Sequence, residues 1–134
     1  MKGYEPMSHK IWEINGISLE LDLEDADVME RLENAFETMK NDESAVPKDG
    51  KASTRIRAYC AMFRNLFSNI FGNDETEKMF KGVPTNSSAY DDVYISFLEF
   101  INAQKDDIAR AKSEKLERYR PNRQQKRAAV RKNK

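Results

Sequence analysis

Residues 53–71, STRIRAYCAMFRNLFSNIF, decide the fold. Apolar residues fall at Ile56, Tyr59, Cys60, Phe63, Leu66, Phe67, Ile70 and Phe71. Steps of three and four put all of them in one stripe on a helix. Ser53 is placed to cap the first turn, and Gly72 stands where a helix end favours positive φ. Four aromatic rings in this stretch are a large apolar load, so this helix is expected to form the core on which the other elements pack. Arg55, Arg57 and Arg64 fall off the stripe. They read as an exposed basic face, solvated or paired with an acidic first helix.

Upstream of this helix, Lys10-Ile-Trp-Glu-Ile14 and Ile17-Ser-Leu-Glu-Leu21 flank Asn15-Gly16. Asn-Gly between two alternating runs predicts a β-hairpin, because both central residues of its turn take positive φ. A two-residue turn sets the register: Ile14 opposite Ile17, Trp12 opposite Leu19, Lys10 opposite Leu21. Trp12, Ile14, Ile17, Leu19 and Leu21 then share one face. A lone hairpin is marginal in water, so that face must lie on helices or pair with another chain.

An acidic joint follows at residues 22–27, with Asp25 or Asp27 as the cap of a first helix from Ala26 or Val28 to about Lys40. Val28, Met29, Leu32, Ala35, Phe36 and Met39 form its inner stripe, and Arg31, Glu33 and Glu37 face out. Residues 41–52, NDESAVPKDGKA, read as a surface loop. Residues 73–81 predict a short helix docked by Met79 and Phe80. A long helix then starts at a Ser88 cap. Tyr90, Val93, Tyr94, Phe97, Leu98, Phe100 and Ile101 form its wide stripe, which thins to Ala103, Ile108, Ala111 and Leu116. Pro121 stops it. From 89 to 120 it would measure about 48 Å, longer than the body, so its second half is expected to project or to pack on another subunit. Asn122 is placed to cap a last short helix over 123–131.

The expected architecture is therefore α+β: an N-terminal β-hairpin on a mostly helical bundle, with a long C-terminal helix and a basic tail. It divides into a flexible arm at 1–9, a single core domain at 10–109, and a projecting helix end with tail at 110–134.

The chain has 134 residues, and its formal net charge of zero conceals a split. Residues 1–109 carry 12 Lys/Arg against 21 Asp/Glu, a net of −9, and residues 110–134 carry 11 against two, a net of +9. Such asymmetry points to an interaction tail, or to contact between an acidic body and a basic tail. Eleven cations would bind phosphates with affinity that falls steeply with salt. Only Tyr119 offers a stacking ring there, and no base-reading fold accompanies it, so nucleic acid ranks below two equal readings: a solvated tail that keeps the protein soluble, and a tail that docks on an acidic protein surface, its own body included.

Little else in the sequence bears chemistry. One His and one Cys, the latter on the core stripe, supply no zinc site of the usual kind. Asp22, Glu24, Asp25 and Asp27 alternate like the start of a calcium loop but lack its central glycine and its closing glutamate. The five glycines are scattered turns and stops, not a phosphate loop. No nucleophile–base arrangement is present. The expectation is a protein that is not an enzyme and uses no cofactor or metal. No N-terminal apolar run or bilayer-length stretch occurs, and a cytoplasmic protein is expected.

Five segments carry a resemblance: residues 13–21 (EINGISLEL); 55–63 (RIRAYCAMF) with Leu66, Phe67 and 70–72 (IFG); 90–97 (YDDVYISF); the acidic joint and helix; and 119–129 (YRPNRQQKRAA). Together, over about residues 10–130, they resemble a family of short proteins from phages and prophages of Gram-positive bacteria. That family is similar to the tail assembly chaperones of long-tailed phages (siphophages). The resemblance implies a small, mostly helical, non-catalytic chaperone in the host bacterial cytoplasm. It would bind the tape measure protein, keep it soluble, and release it as tail tube subunits assemble. Homo-oligomer formation fits the same picture. The expected partner-binding residues are Tyr94, Phe97, Leu98 and Ile101 on the long helix, and Arg118, Arg120, Arg123, Lys126, Arg127 and Arg131 in the tail. The alternatives are a nucleic-acid-binding phage protein acting through the tail, and a structural virion component.

Overall fold

The computed structural model describes residues 10–119. Strands β1 (Ile11–Ile14) and β2 (Ile17–Glu20) lead into helices α1 (Ala26–Ala45), α2 (Ala52–Phe71), α3 (Asn73–Met79) and α4 (Ser87–Tyr119). This is the expected α+β architecture. The expectations for residues 1–9, for the stop at Pro121 and for a helix over 123–131 lie outside the described residues.

The hairpin register is the one set by Asn15-Gly16: Trp12 pairs with Leu19 and Ile14 with Ile17, antiparallel. Asn15 has φ 49° and Gly16 φ 84°, as a two-residue turn of this hand requires. The ladder runs on past β2, where the Leu21 N–H donates to the Lys10 carbonyl at 2.8 Å. Trp12, Leu19 and Leu21 are buried, and Ile14 and Ile17 pack half-buried against the same core.

Trp12 joins the hairpin to the helices. Its ring lies 5.0 Å from that of Phe97 and 5.7 Å from that of Phe67, with Phe71 and Phe100 at 6.0 and 6.3 Å. These are distances at which aromatic pairs attract. Its indole N–H donates to Ser96 Oγ at 3.1 Å, so the buried ring keeps no unpaired donor.

α2 is the centre of the core, with Cys60, Phe63, Leu66, Phe67 and Ile70 all buried. Met62 is buried as well, although it falls off the predicted stripe, because the antiparallel α1–α2 contact widens the covered face. Ile56 is 38% exposed, because it lines an open groove between the start of α2, Val46 and Pro47, and the start of α4.

Three helix ends differ from the sequence reading. α2 begins at Ala52, with Lys51 in the cap position and no side-chain cap, so Ser53 is not its cap. α4 begins at Ser87, and the Asn86 side chain accepts from the Ala89 N–H at 2.9 Å, a cap two residues earlier than Ser88. α1 is capped by Asp25, whose side chain accepts from the Asp27 and Val28 N–H groups, and it runs to Ala45 instead of ending near Lys40. The five added residues precede the loop that Pro47, Asp49 and Gly50 mark, and tertiary contact extends the helix through them: Asp42 is held by Asn65 Nδ2 of α2 at 2.8 Å.

α2 and α3 are separated by Gly72 alone, at φ 96° and ψ 161°. That combination is accessible essentially to glycine only. It turns the chain sharply, so that Met79 and the following Phe80 are buried beneath α2. Thr76 Oγ1 donates to the Gly72 carbonyl at 2.8 Å and closes the corner.

Candidate partner-binding surface

α4 holds every predicted contact residue that lies among the described ones. Its first turns are anchored from below. Tyr90 is buried and stacked on Phe80 with centroids 4.4 Å apart. Arg64 of α2 lies 5.2 Å over the Phe80 ring, donates from Nε to the Tyr90 hydroxyl at 2.9 Å, and donates from Nη1 to Glu77 of α3 at 3.0 Å. Arg64 is thus paired with α3 and not with the acidic first helix. Burial lowers its pKa, but the Tyr90 hydroxyl and Glu77 carboxylate outweigh that, and the net shift is upward. Arg55 and Arg57 are exposed.

At the middle of α4, the predicted contact set is drawn into the core. Phe97 is fully buried and Ile101 is buried, so neither offers a surface to a partner. Tyr94 is half-buried, stacked on Phe63 with centroids 4.8 Å apart, and Leu98 is half-buried. The physical reason is that one side of α4 is covered by α2 and by the hairpin, and Tyr94, Phe97 and Ile101 lie on that side, whereas Leu98 is not part of the core cluster. Ile95, on the outer side, is 50% exposed.

Gln104 marks the place where α4 leaves the body. Only 2% exposed, its side chain bridges the chain just after β2. Oε1 accepts from the Leu23 N–H at 2.8 Å, and Nε2 donates to the Leu21 carbonyl at 2.9 Å. The side-chain amide stands in for a neighbouring strand, pairing two buried backbone groups. It thereby fixes the acidic joint, residues 22–25, at the root of the outgoing helix. Sequence reading passed over Gln104; the signal was a glutamine at stripe spacing between Ile101 and Ile108.

Beyond the half-buried Ile108, every residue from 109 to 119 is exposed. At 1.5 Å per residue these eleven residues form an arm of about 17 Å on a helix of about 50 Å. By helical phase, Tyr119 continues the inner face of α4 outward, where the arm's own body no longer lies beneath it, and Leu116 stands on the flank of that face, about 100° round the helix. Leu116 is 45% exposed and Tyr119 82%. Arg118 is on this arm and exposed. Arg120, Arg123, Lys126, Arg127 and Arg131 lie outside the described residues.

Two features of the body bear on chemistry. An open groove of about 520 Å³ is lined by Val46, Pro47, Arg55, Ile56, Tyr59 and Asp91, among others. In it the Tyr59 hydroxyl donates to Asp91 Oδ1. Burial, then the Asp91 carboxylate, push the Tyr59 pKa from 10.0 to about 12, so this phenol is held neutral and bonded. The Cys60 thiol is likewise pushed up by burial and by Asp91, against a smaller opposing effect of Arg64. A buried thiol with raised pKa is a poor nucleophile. Tyr94 is raised by burial and by Glu43. Among the described residues, no three His, Cys, Asp or Glu side chains are grouped to hold a metal ion, and no helix is long and apolar enough to cross a membrane.

No curated protein and no solved structure matches the chain. A match to a family of unknown function, DUF6673, extends over residues 15–130, and the chain belongs to that family.

Proposed function

We propose that this protein is a non-catalytic tail assembly chaperone of a phage or prophage. In this reading it works in the host bacterial cytoplasm, binds the tape measure protein, and yields it to tail tube subunits. The observation that supports a binding role is the arm at residues 109–119, a helix exposed around its whole circumference and carrying Tyr119 in line with the core face and Leu116 on its flank. A helix presented in this way suits a helical client, which gains by laying apolar residues at helical spacing against it. The tail assembly assignment adds to this the sequence resemblance over residues 10–130. The buried Phe97 and Ile101 drop out of the contact set; the half-buried Tyr94 and Leu98 stay in it, joined by the exposed Leu116, Arg118 and Tyr119 among the described residues.

Co-expression tests the reading. The tape measure protein encoded in the same genome, expressed alone, is expected in the insoluble fraction. Expressed with this chain it is expected to be soluble and to co-purify. The double substitution Leu116→Ser, Tyr119→Ser is expected to remain soluble itself while losing the client. A tape measure protein that stays insoluble beside the full chain overturns the assignment. Salt-sensitive retention of DNA or RNA in its place would favour a nucleic-acid role for the basic end.

A further inference from the structure

The charge split has a spatial form that suggests an occupant for the arm. Residues 22–45, the joint and α1, hold nine acids against Arg31 and Lys40, a net of −7. Most of the body's excess charge is therefore on one element. Glu30, Glu33 and Glu37 of that element are exposed. The arm carries Arg110, Lys112, Lys115 and Arg118 against Glu114 and Glu117, and its sequence continues into a further seven cations at 120–134. The acidic element begins at the arm's root, because Gln104 ties Leu21 and Leu23 to α4 four residues before burial ends. The arm then runs straight away from it as helix. No part of the described body lies against the arm, whose residues 109–119 are all exposed, and the sequence that follows carries the arm's own sign of charge.

We propose that the occupant of the arm's face is a second copy of this chain. In the pair, the arm of each molecule lies across the acidic joint and α1 of the other. An axis of twofold symmetry near Ile108 meets both requirements at once, since the arm and the acidic element start from the same place and carry opposite charge. Such an interface is isologous: each copy gives one arm and receives one, and the assembly closes at two. Leu116 and Tyr119 supply apolar contact, and the opposed charges set the register and speed the encounter. A client that takes Leu116 and Tyr119 would have to displace the second copy, so the dimer is tested on the chain alone, without a client.

Analytical ultracentrifugation of the full chain tests it. A dimer is expected at low ionic strength, weakening about tenfold or more between ~0.05 and ~0.5 M salt as exposed charges are screened. Glu30→Lys, Glu33→Lys, Glu37→Lys together are expected to give a monomer with an unchanged circular dichroism spectrum. Lys112→Glu, Lys115→Glu, Arg118→Glu together are expected to do the same. Mixed one to one, the two variants are expected to form a heterodimer, because each arm then meets a face of opposite sign. A wild-type chain that is monomeric at all salt concentrations overturns the proposal and points to the basic end folding back on its own body. A dimer that survives either triple substitution, or a mixture that stays monomeric, overturns it as well.

Discussion

Gln104 and Leu23, eighty-one residues apart, are joined by a 2.8 Å hydrogen bond from the Leu23 N–H to the glutamine side-chain oxygen. With its second bond, to the Leu21 carbonyl, the Gln104 amide is the link between the end of the hairpin and the last buried turn of α4. Removing it leaves two buried backbone groups without partners. Gln104→Leu is expected to cost about 2–4 kcal/mol, since each unpaired group costs about 1–3 kcal/mol and the new side chain recovers part by its own burial. Urea unfolding measures this. A loss under about 0.5 kcal/mol would show that the bridge does not hold the joint.

Gly72 is the corner between α2 and α3. At φ 96° and ψ 161°, with open space where a Cβ would stand, its cost of substitution is conformational and not steric. Gly72→Ala is expected to destabilise by about 1–3 kcal/mol. Gly→Ala at an unstrained site stabilises by about 0.4–1 kcal/mol instead, so thermal or urea unfolding decides between the two by sign alone.

Tyr59 gives a pH dependence of known direction. Its pKa is raised in the folded chain to about 12 from 10.0, so the stability it contributes is complete below pH 10 and is lost as pH rises from 10 toward 12. Tyr59→Phe keeps the ring but neither ionises nor bonds Asp91. The wild type is expected to be the more stable at pH 8, and its advantage over Tyr59→Phe to shrink above pH 10. Urea midpoints for both proteins across that range measure the difference. An advantage that stays constant to pH 11.5 would mean that the phenol ionises as freely in the fold as in the unfolded chain.

The parts legible in the sequence are those where local chemistry and burial agree. Asn15-Gly16 set the turn, the turn set the register, and the register put Trp12, Leu19 and Leu21 on one face. The α2 stripe was legible for the same reason, because spacing and side-chain type pointed one way. Helix starts were less so. Asp25, Asp27, Ser53, Asn86 and Ser88 all have cap chemistry, and which one serves depends on where the chain turns to meet its neighbour. The contact set on α4 failed at Phe97 and Ile101 because an apolar stripe does not state what covers it. The wide part of the stripe is core, and its thin continuation at Leu116 and Tyr119 is what remains exposed. Gln104 escaped notice because its role exists only once residues 21–23 are laid against it.

The central claim is that the outgoing end of α4 is a binding surface and not a passive extension. Amide hydrogen exchange at residues 109–119 tests it most directly, compared between the free chain at a dilution that keeps it monomeric and the complex isolated by co-expression with the tape measure protein. The account predicts rapid exchange along the arm when free and marked slowing in the complex, strongest around Leu116, with the core of α2 unchanged. Equal exchange along the arm in both states would contradict it.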